Sequence, residues 1–524
     1  MVFCIRNFVF ELFLILKKGI CGKAKREGKM SLAPTSHHLY KQSLALLTDL
    51  YQLTMSYGYW KSGLENKETV FHLFFRKRPF NGGFTVAAGL EQVIEYLENF
   101  HFDDSDLSYL ATLRGSDESA LFDSEFFNYL KNLKFTCDVD AVPEGTVVFP
   151  YELLLRIQGP LIQCQILESV LLNLINFPTL IATKAARMCV AANGDPVLEF
   201  GLRRAQGIDG ALTASRSAFI GGCDSTSNVL AGKLFGIPVK GTHSHSWVMV
   251  FDDELEAFQT YAKNLPANCI FLVDTYDSIE GVKKAIEVGG WLRDHGKKLL
   301  GIRLDSGDLA YLSIKSRELL DDAGFKDAII VASNELDETI ISELKRQGAK
   351  ITVWGVGTNL ITSKDQPALD GVYKLSAIRD PGEPWKYKLK LSEQMLKVSN
   401  PGILQVRRYM ADDENIADVI YDVNTDLQNQ DCSIIDPLDS TRQKIMKKGM
   451  PSHDLLVPIF RAGKSVYQMP SLTDIHKRTQ QELSRFHVGI KRFLYPHQYI
   501  VGMENSLYNL KIDLIKNIRN HAIK

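Results

Sequence analysis

The stretch Val197-Leu198-Glu199-Phe200-Gly201-Leu202-Arg203-Arg204 begins the part of the chain that determines the fold. Its apolar start predicts a short strand, and an aromatic ring, a glycine and two adjacent arginines follow directly. Similar short apolar strands then alternate with helical segments, and we predict strands at 197–200, 238–240, 270–273, 299–302, 328–332, 351–354 and 371–375. Such alternation is typical of a parallel sheet, and this many units predict closure into an irregular, TIM-like α/β barrel.

The regions on either side of this alternation have other patterns. Residues 30–160 mix helical segments with β-branched and aromatic runs, which predicts a mixed α+β domain. Residues 161–380 form the predicted barrel domain; they begin with a helical pattern in which Pro178 predicts a break into two helices. Residues 381–524 return to strands and loops, and we expect this C-terminal region to pack on the N-terminal domain.

The composition, net charge and cysteine spacing exclude several classes of protein. The 524 residues are 45% hydrophobic and 23% charged with a net charge of -1, so no general attraction to nucleic acid or to acidic membranes is expected. The eight cysteines include no C-x-x-C pair. We therefore expect neither a zinc ribbon nor a disulfide framework, and we predict a cytoplasmic protein with reduced thiols.

Residues 1–29 form a separate segment. An apolar run at 2–16 is followed by basic residues, whereas a signal peptide places its positive charge before the apolar run. The run is also short and interrupted for a membrane span. We interpret these residues as an extension from an upstream start, outside the fold, so that the folded protein begins at Met30, and we expect no membrane association.

Polar residues follow the predicted strands at the point where each strand ends. In a barrel these carboxyl ends converge on one mouth, which is where active sites of this architecture lie. The pairs and runs concerned are Phe200 with Arg203, Thr242 with His245, Asp274 with Thr275, Arg303 with Asp305, Ser333 with Asn334, and 355–358. Their common position predicts a single site.

Two loops among them suit phosphate and a divalent cation. Backbone N–H groups of a turn such as Gly355-Val356-Gly357-Thr358 can cradle a phosphate, although a plain tight turn explains the glycines equally well. In Arg303-Leu304-Asp305-Ser306-Gly307-Asp308, the carboxylates could hold Mg²⁺ together with a pyrophosphate. The structural alternative is that Asp308 caps the following helix.

Three side chains allow more than one reading. His243 and His245 could form a zinc pair, but no further ligand spacing supports it. A histidine near a carboxylate can instead have its tautomer fixed, which leaves the other ring nitrogen as a nucleophile. Phe200 alone would be core, whereas with Arg203 beside it the ring could stack on a heteroaromatic acid.

Taken together, these motifs resemble the nicotinate phosphoribosyltransferase family. The resemblance covers about residues 43–375, and the region after it is also similar but has fewer distinctive motifs. The matching stretches are Leu47-Thr48-Asp49-Leu50-Tyr51-Gln52, Phe75-Arg76-Lys77-Arg78-Pro79-Phe80, Glu199 to Gly207, Gly241 to Trp247, Ile302 to Asp308, and Trp354 to Thr358.

The resemblance implies a homodimeric enzyme with an α/β barrel and a mixed domain built from both ends of the chain. Its reaction converts nicotinate and phosphoribosyl pyrophosphate to nicotinate mononucleotide and pyrophosphate, for NAD salvage. ATP is the co-substrate, hydrolysed to ADP and phosphate, and Mg²⁺ is the cofactor.

The resemblance also implies roles for single residues. His245 would accept a phosphoryl group from ATP, and Asp274 would orient it. Nicotinate contacts would come from Tyr51, offered across the dimer interface, and from Phe200, Thr242 and Arg303. Contacts to phosphoribosyl pyrophosphate would come from Gly355, Gly357 and Thr358. Arg203, Asp224 and Asp305 would be further contributors to substrate, with Asp305 reaching Mg²⁺ through the substrate.

Two alternatives keep the same pocket. A nicotinamide phosphoribosyltransferase shares the Phe200 to Arg203 and Asp305 to Asp308 arrangements, but the runs at 76–84 and 47–52 favour the acid-specific family. A catalytically inactive relative would bind phosphoribosyl ligands without turnover. Against it, each catalytic-type position has the residue type expected of an active enzyme.

Overall fold

The computed structural model describes residues 43–394 and 397–522, so the predicted extension at 1–29 lies outside the described residues. The α-helices, numbered in chain order, are α1 Leu50–Lys61, α2 Leu90–Glu98, α3 Asp104–Leu110, α4 Ser124–Asn132, α5 Leu161–Ile166, α6 Glu168–Ala192, α7 Gly207–Gly221, α8 Val229–Phe235, α9 His245–Met249, α10 Glu254–Asn264, α11 Ser278–Asp294, α12 Leu309–Asp322, α13 Glu338–Arg346, α14 Thr358–Ile361, α15 Leu472–Ser484 and α16 Asn505–Ala522.

The strands are β1 Glu68–Phe74, β2 Thr85–Val86, β3 Asp138–Ala141, β4 Val147–Val148, β5 Leu153–Pro160, β6 Val197–Glu199, β7 Ser225–Thr226, β8 Ile270–Leu272, β9 Gly301–Leu304, β10 Ile329–Ala332, β11 Val353–Val356, β12 Val372–Arg379, β13 Lys386–Tyr387, β14 Leu404–Ala411, β15 Glu414–Asp422, β16 Cys432–Ile435, β17 Gln443–Met446, β18 Ser452–Asp454, β19 Val457–Arg461, β20 Lys464–Ser465 and β21 Val501–Glu504.

A seven-stranded sheet joins the two ends of the chain, in the order β13-β12-β1-β5-β3-β19-β20. Strand β1 is buried along nearly its whole length because β12 and β5 pair with it on either side. The C-terminal β19 pairs with the N-terminal β3. The expected mixed domain built from both ends of the chain is confirmed. A further six-stranded sheet, β17-β16-β21-β15-β14-β18, consists entirely of C-terminal strands.

A six-stranded parallel sheet, in the order β7-β6-β11-β10-β9-β8, carries the predicted site residues. Helices follow its strands, as the alternating pattern predicts, and the α/β class is confirmed. The closed TIM-like barrel is not confirmed, because backbone pairing among the described residues leaves β7 and β8 as edges. The segment 239–243 contacts both of these edge strands. Val239 forms a parallel bridge with Thr226 of β7, and the imidazole of His243 accepts a hydrogen bond from the Leu272 N–H of β8.

Two strand predictions need correction, and one strand has no counterpart among the predictions. Residues 238–240 form only the single bridge at Val239, since the polar residues after it leave the sheet. The strand predicted at 371–375 is real, but as β12 it lies antiparallel to β1 in the seven-stranded sheet and not in the predicted barrel. Strand β7 was not predicted because its two residues, Ser225 and Thr226, are polar and carry no apolar signal.

The predicted helix break at Pro178 is wrong, since α6 runs through it and the interruption falls at Leu167. Proline in a helix costs about 3 kcal/mol, chiefly through one lost hydrogen bond and a clash. Tertiary contacts hold the helix in the turns that follow it: the hydroxyls of Thr179 and Thr183 accept hydrogen bonds from the Ala88 and Val86 N–H groups. The same backbone segment requires glycine at Gly89, where a Cβ would lie 2.0 Å from the Leu174 carbonyl oxygen.

Helix α6 is also long and apolar enough to cross a membrane by length and composition. Of its most apolar window, 67% is buried inside the fold. The core helix of a globular protein has the same properties, so this helix is weak evidence for a membrane span.

Candidate active site

A cavity of about 490 Å³ lies at the carboxyl ends of the parallel strands. It brings together nine of the residues predicted from sequence, which come from four separate chain segments. These residues are Phe200, Arg203, Thr242, His245, Arg303, Asp305, Gly355, Gly357 and Thr358. The prediction that strand ends converge is therefore confirmed for these positions.

One wall of the cavity is the ring of Phe200. The residue directly follows β6, and its N–H donates to the Val356 carbonyl at 2.7 Å, which fixes its backbone against β11. A Cβ at position 355 would lie 2.9 Å from two carbons of the ring, so only glycine lets the ring rest there. Phe200 is half-buried, and its free face is suited to stacking on a planar ligand.

The loop after β6 is held from below by Glu199, whose role the sequence did not reveal. This carboxylate is fully buried and accepts hydrogen bonds from the Gly201 N–H, from Ser215 at 2.9 Å and from Thr226 at 2.6 Å. It therefore ties the loop to α7 and β7. The exposed Arg203, together with Arg204, follows in a single 3-10 turn at Leu202–Arg204 that borders the cavity.

The guanidinium of Arg303 forms the cationic part of the opposite wall. It donates to the Thr242 hydroxyl at 2.7 Å, to the Ser333 hydroxyl at 2.9 Å and to Asp305 at 3.3 Å. The Ser333 hydroxyl also donates to Asp305. Because three partners fix its plane, the guanidinium presents its remaining donors in one orientation, which suits a planar carboxylate.

His245 opens α9 and faces Asp305. Its Nε2 lies 3.7 Å from the Asp305 carboxylate, and its Nδ1 lies 3.1 Å from the Thr275 hydroxyl. The side chain is 39% exposed, so a ligand in the cavity can reach it. One ring nitrogen is engaged by a hydroxyl and the other lies near a carboxylate on the cavity side, which is compatible with the arrangement expected of a nucleophilic histidine.

Asp274 does not touch His245 in this structure and contacts the loop after β9 instead. Its Oδ2 accepts from the Asp305 N–H at 2.8 Å and from the Ser306 hydroxyl at 2.6 Å, while Oδ1 is buried without a hydrogen bond. The carboxylate thus holds the loop that carries Asp305. The carboxylate nearest His245 is Asp305 and not Asp274.

His243 has a structural position, unlike His245. It is 8% exposed and packs among the rings of Phe258, Tyr261 and Phe271. Since Nε2 accepts from Leu272, the ring is neutral with its proton on Nδ1, which lies 3.3 Å from the Ser244 carbonyl. Burial lowers the pKa of His243 to about 4.

The zinc alternative finds no support in the donor set, because no group of three or more His, Cys, Asp or Glu within 43–394 and 397–522 could hold a metal ion. The magnesium expectation fits only in a limited form. Asp305 Oδ1 is occupied by Ser333 and Arg303, which leaves Oδ2. Asp308 is the cap of α12 and accepts from the Tyr311 N–H at 3.0 Å. These residues suit a Mg²⁺ ion bound mainly by substrate phosphates and water.

Two predicted residues lie away from the cavity. Asp224 is exposed at the amino end of the parallel sheet, where its carboxylate accepts from the Val197 N–H at 2.9 Å, so the structure gives it a role in holding β6. Tyr51 lies on α1 and is 47% exposed. Near the cavity, Asn334 and Glu335 both adopt positive φ, a strained turn that sequence did not predict.

Three matches to known families cover most of the chain. The N-terminal domain of nicotinate phosphoribosyltransferase matches residues 46–176, the nicotinate phosphoribosyltransferase family matches residues 196–383, and the C-terminal domain matches residues 405–511. The nicotinate phosphoribosyltransferase of Bacillus subtilis (strain 168) is 43% identical over 485 residues, which is 91% of this chain and 96% of that protein. The human protein of the same name is 33% identical over 524 residues, or 89% and 95%.

Comparison with solved structures supports the same family assignment. The crystal structure of human nicotinic acid phosphoribosyltransferase superposes with a TM-score of 0.77 at 32% identity and covers 89% of this chain and 99% of that one. Nicotinate-nucleotide pyrophosphorylase from Pyrococcus furiosus shares the fold, with a TM-score of 0.63 at 24% identity over 88% and 99% of the two chains. The sequence matches and the close structural likeness show that the chain belongs to the nicotinate phosphoribosyltransferase family.

Proposed function

We propose that the chain transfers the phosphoribosyl group of phosphoribosyl pyrophosphate to nicotinate, producing nicotinate mononucleotide and pyrophosphate for NAD salvage. The observation that carries this proposal is the pairing of a half-buried ring, Phe200 on Gly355, with the fixed guanidinium of Arg303 across one cavity. A planar aromatic acid satisfies both at once. Membership of the family, and relatives that bear this name over nearly their whole length, support it.

The pyridine ring and the carboxylate of nicotinate occupy the part of the cavity between Phe200 and Arg303. The Thr242 hydroxyl, which accepts from Arg303 and donates to the His243 carbonyl, is positioned for a further contact to the carboxylate. In this orientation the ring nitrogen points toward the glycine turn. A fixed arrangement of this kind converts a weak pyridine nucleophile into one held in line with the ribose.

Phosphoribosyl pyrophosphate binds along Gly357 and Thr358 on one side and Arg203 and Arg204 on the other. In the transfer, the bond from the anomeric carbon to pyrophosphate breaks as the bond to the pyridine nitrogen forms. Negative charge grows on the departing pyrophosphate, and the two guanidiniums stabilise it. Mg²⁺, when it accompanies the pyrophosphate, supplies further charge neutralisation, and Asp305 Oδ2 is the oxygen that would reach it.

ATP enters the proposal through His245. The Nε2 atom attacks the terminal phosphorus of ATP, an N–P bond forms, the P–O bond to ADP breaks, and later hydrolysis of the phosphohistidine releases phosphate. The proton on Nδ1 stays in place as a hydrogen bond to the Thr275 hydroxyl. Asp274 supports the step by holding the loop of Asp305, which faces the ring.

The proposal includes a homodimer in which Tyr51 of a second copy completes the cavity. Tyr51 is exposed on α1, together with the neighbouring apolar side chains of Leu50 and Met55. These side chains form an exposed apolar face, which is typical of a protein interface. We further propose a cytoplasmic location, in keeping with the six described cysteines, all of which are free thiols.

The test is an incubation of the purified protein with nicotinate, phosphoribosyl pyrophosphate and Mg²⁺, with and without ATP, with nicotinate mononucleotide measured by chromatography. We expect product from nicotinate and a strong increase with ATP. Product from nicotinamide alone would contradict the substrate and support the nicotinamide alternative. No product from either ring would support the inactive relative.

A further inference from the structure

A second cavity, of about 550 Å³, lies between α2, α6 and the start of α7. Its lining shares no residue with the first cavity. Most of its surface is apolar, contributed by side chains such as Leu47, Val170 and Leu174, and two aromatic residues, Tyr96 and Phe177, stand in its walls. This volume is sufficient for a small organic molecule.

The polar groups of this cavity are acidic or neutral. Glu95 and Asp209 line it, and none of the described residues in its lining is Lys, Arg or His. Gln92 is 8% exposed, and its buried amide oxygen has no hydrogen-bond partner in the part of the chain that the structure describes. A buried acceptor without a donor costs free energy, so the site is one that a ligand with N–H groups would complete.

Glu95 is the charged centre of this group. It is half-buried on α2, and burial, with the like charges of Glu91 and Glu98 on the same helix, raises its pKa to about 7. Among the described residues, no cation or hydrogen-bond donor is one of the groups that shift its pKa. A carboxylate in such surroundings gains more from a cation than one in water does, since apolar walls weaken the screening.

From this arrangement we infer that the second cavity binds a small organic amine, a protonated ammonium group on an aromatic or branched apolar body. The ammonium group donates to the Glu95 carboxylate and to the Gln92 amide oxygen. The apolar body packs on Val170 and Leu174, and the rings of Tyr96 and Phe177 add attraction for the cation. An anion or a neutral alcohol of the same shape lacks either the charge or enough donors.

The position of this cavity links it to the first one. Gln206 and Asp209, at the start of α7, line the second cavity. The segment immediately before them carries Arg203 and Arg204, which line the first cavity. A ligand in the second cavity therefore contacts the chain segment that presents both guanidiniums to the phosphate end of the first.

Calorimetric titration of the full chain with 2-phenylethylamine tests the inference, with 2-phenylethanol and 3-phenylpropionate as ligands of matched shape. We expect saturable binding of the amine alone. Glu95→Gln should weaken that binding about tenfold or more, because it removes the charge and keeps the shape. The matched control is Glu98→Gln, the same change on the same helix but at an exposed position outside the cavity; because it removes only a neighbouring like charge, it should change the binding far less than Glu95→Gln does.

Two further measurements keep the test decisive. Thermal unfolding establishes that Glu95→Gln is folded, and Asp209→Asn provides a second, exposed carboxylate of the cavity, where a smaller loss is expected. Binding is measured without nicotinate or phosphoribosyl pyrophosphate, so the result does not depend on the proposed reaction. Equal binding of amine and alcohol, unchanged binding by Glu95→Gln, or displacement of the amine by nicotinate would each overturn the inference.

Discussion

The two cavities of this chain differ in how far their polar groups are satisfied. In the first, Arg303, Asp305, Thr242 and Ser333 hold one another in a connected set of hydrogen bonds. In the second, Glu95 has no described cation or donor acting on it. A connected set fixes side chains in a geometry before a ligand arrives, which catalysis requires, whereas an unsatisfied acceptor in apolar walls selects a ligand by its charge.

The largest expected effect tests whether the chemistry is confined to the first cavity. His245→Gln removes the proposed phosphoryl acceptor, so ATP consumption during nicotinate turnover should fall about 1000-fold. The measurement is ADP release by a coupled assay. Binding of 2-phenylethylamine to the second cavity should be unchanged. ATP consumption that still keeps step with product would exclude His245 as the acceptor.

His243, two residues earlier, should affect stability and not ATP use. Its folded pKa of about 4 lies below the usual 6.5, so between these values the unfolded state binds more protons. The stability it contributes is present above pH 6.5 and is lost as pH falls toward 4, by about 3 kcal/mol. Denaturant unfolding at pH 7 and at pH 4.5 measures this loss, and in His243→Gln it should be smaller. A variant with the pH dependence of the unaltered chain would show that another group is responsible.

Gly355→Ala tests whether the ring of Phe200, which rests on Gly355, forms a nicotinate-binding wall of the first cavity. The added methyl would displace Phe200, so the Michaelis constant for nicotinate should rise about tenfold while that for phosphoribosyl pyrophosphate changes less. Steady-state kinetics with each substrate varied in turn supply the comparison. In a Phe200→Leu background, where no ring meets the added methyl, Gly355→Ala should raise the Michaelis constant for nicotinate much less; an equal rise in that background would show that the clash with the ring is not the cause.

The smallest expected effect is the contribution of Glu95 to stability, and its pH dependence is opposite to that of His243. The pKa of Glu95 is raised to about 7 in the folded chain, so its folded state binds more protons than the unfolded state between pH 4.5 and 7. Stability is therefore lost as pH rises through this range, by on the order of 1 kcal/mol after screening of this half-exposed group. Glu95→Gln should lessen the loss in denaturant unfolding at pH 5 and pH 8, and an equal lessening in Glu98→Gln would contradict the assignment to Glu95.

The sequence predicted the first cavity because its signals are local. Phe200, Arg303 and Thr358 each lie inside or directly after an apolar strand, so a correct α/β pattern is enough to bring them together. The second cavity has no such signal, since its lining comes from segments near 44–47, 92–96, 170–178 and 206–213 that share no motif.

The incorrect sequence predictions arise from contacts between residues that are far apart in sequence. Helix α6 continues through Pro178 because segment 86–88, far away in sequence, bonds to the threonines that follow it. Strand β12 matches the alternating pattern, but β1 offers it an antiparallel partner, which periodicity alone does not reveal. His243 could be taken for a zinc ligand because its hydrogen-bond partner Leu272 lies 29 residues away in sequence.

The seven-stranded sheet has a consequence for synthesis of the chain. Its N-terminal strand β3 stays unpaired on one side until β19 has been made, and Arg461 then donates to the Val139 carbonyl 322 residues earlier in sequence. The parallel sheet, from β6 to β11, is complete long before that point. While the ribosome elongates the chain, exposed strand edges therefore persist at the N-terminal end, and a product ending after β11 would hold the catalytic strands yet retain aggregation-prone edges.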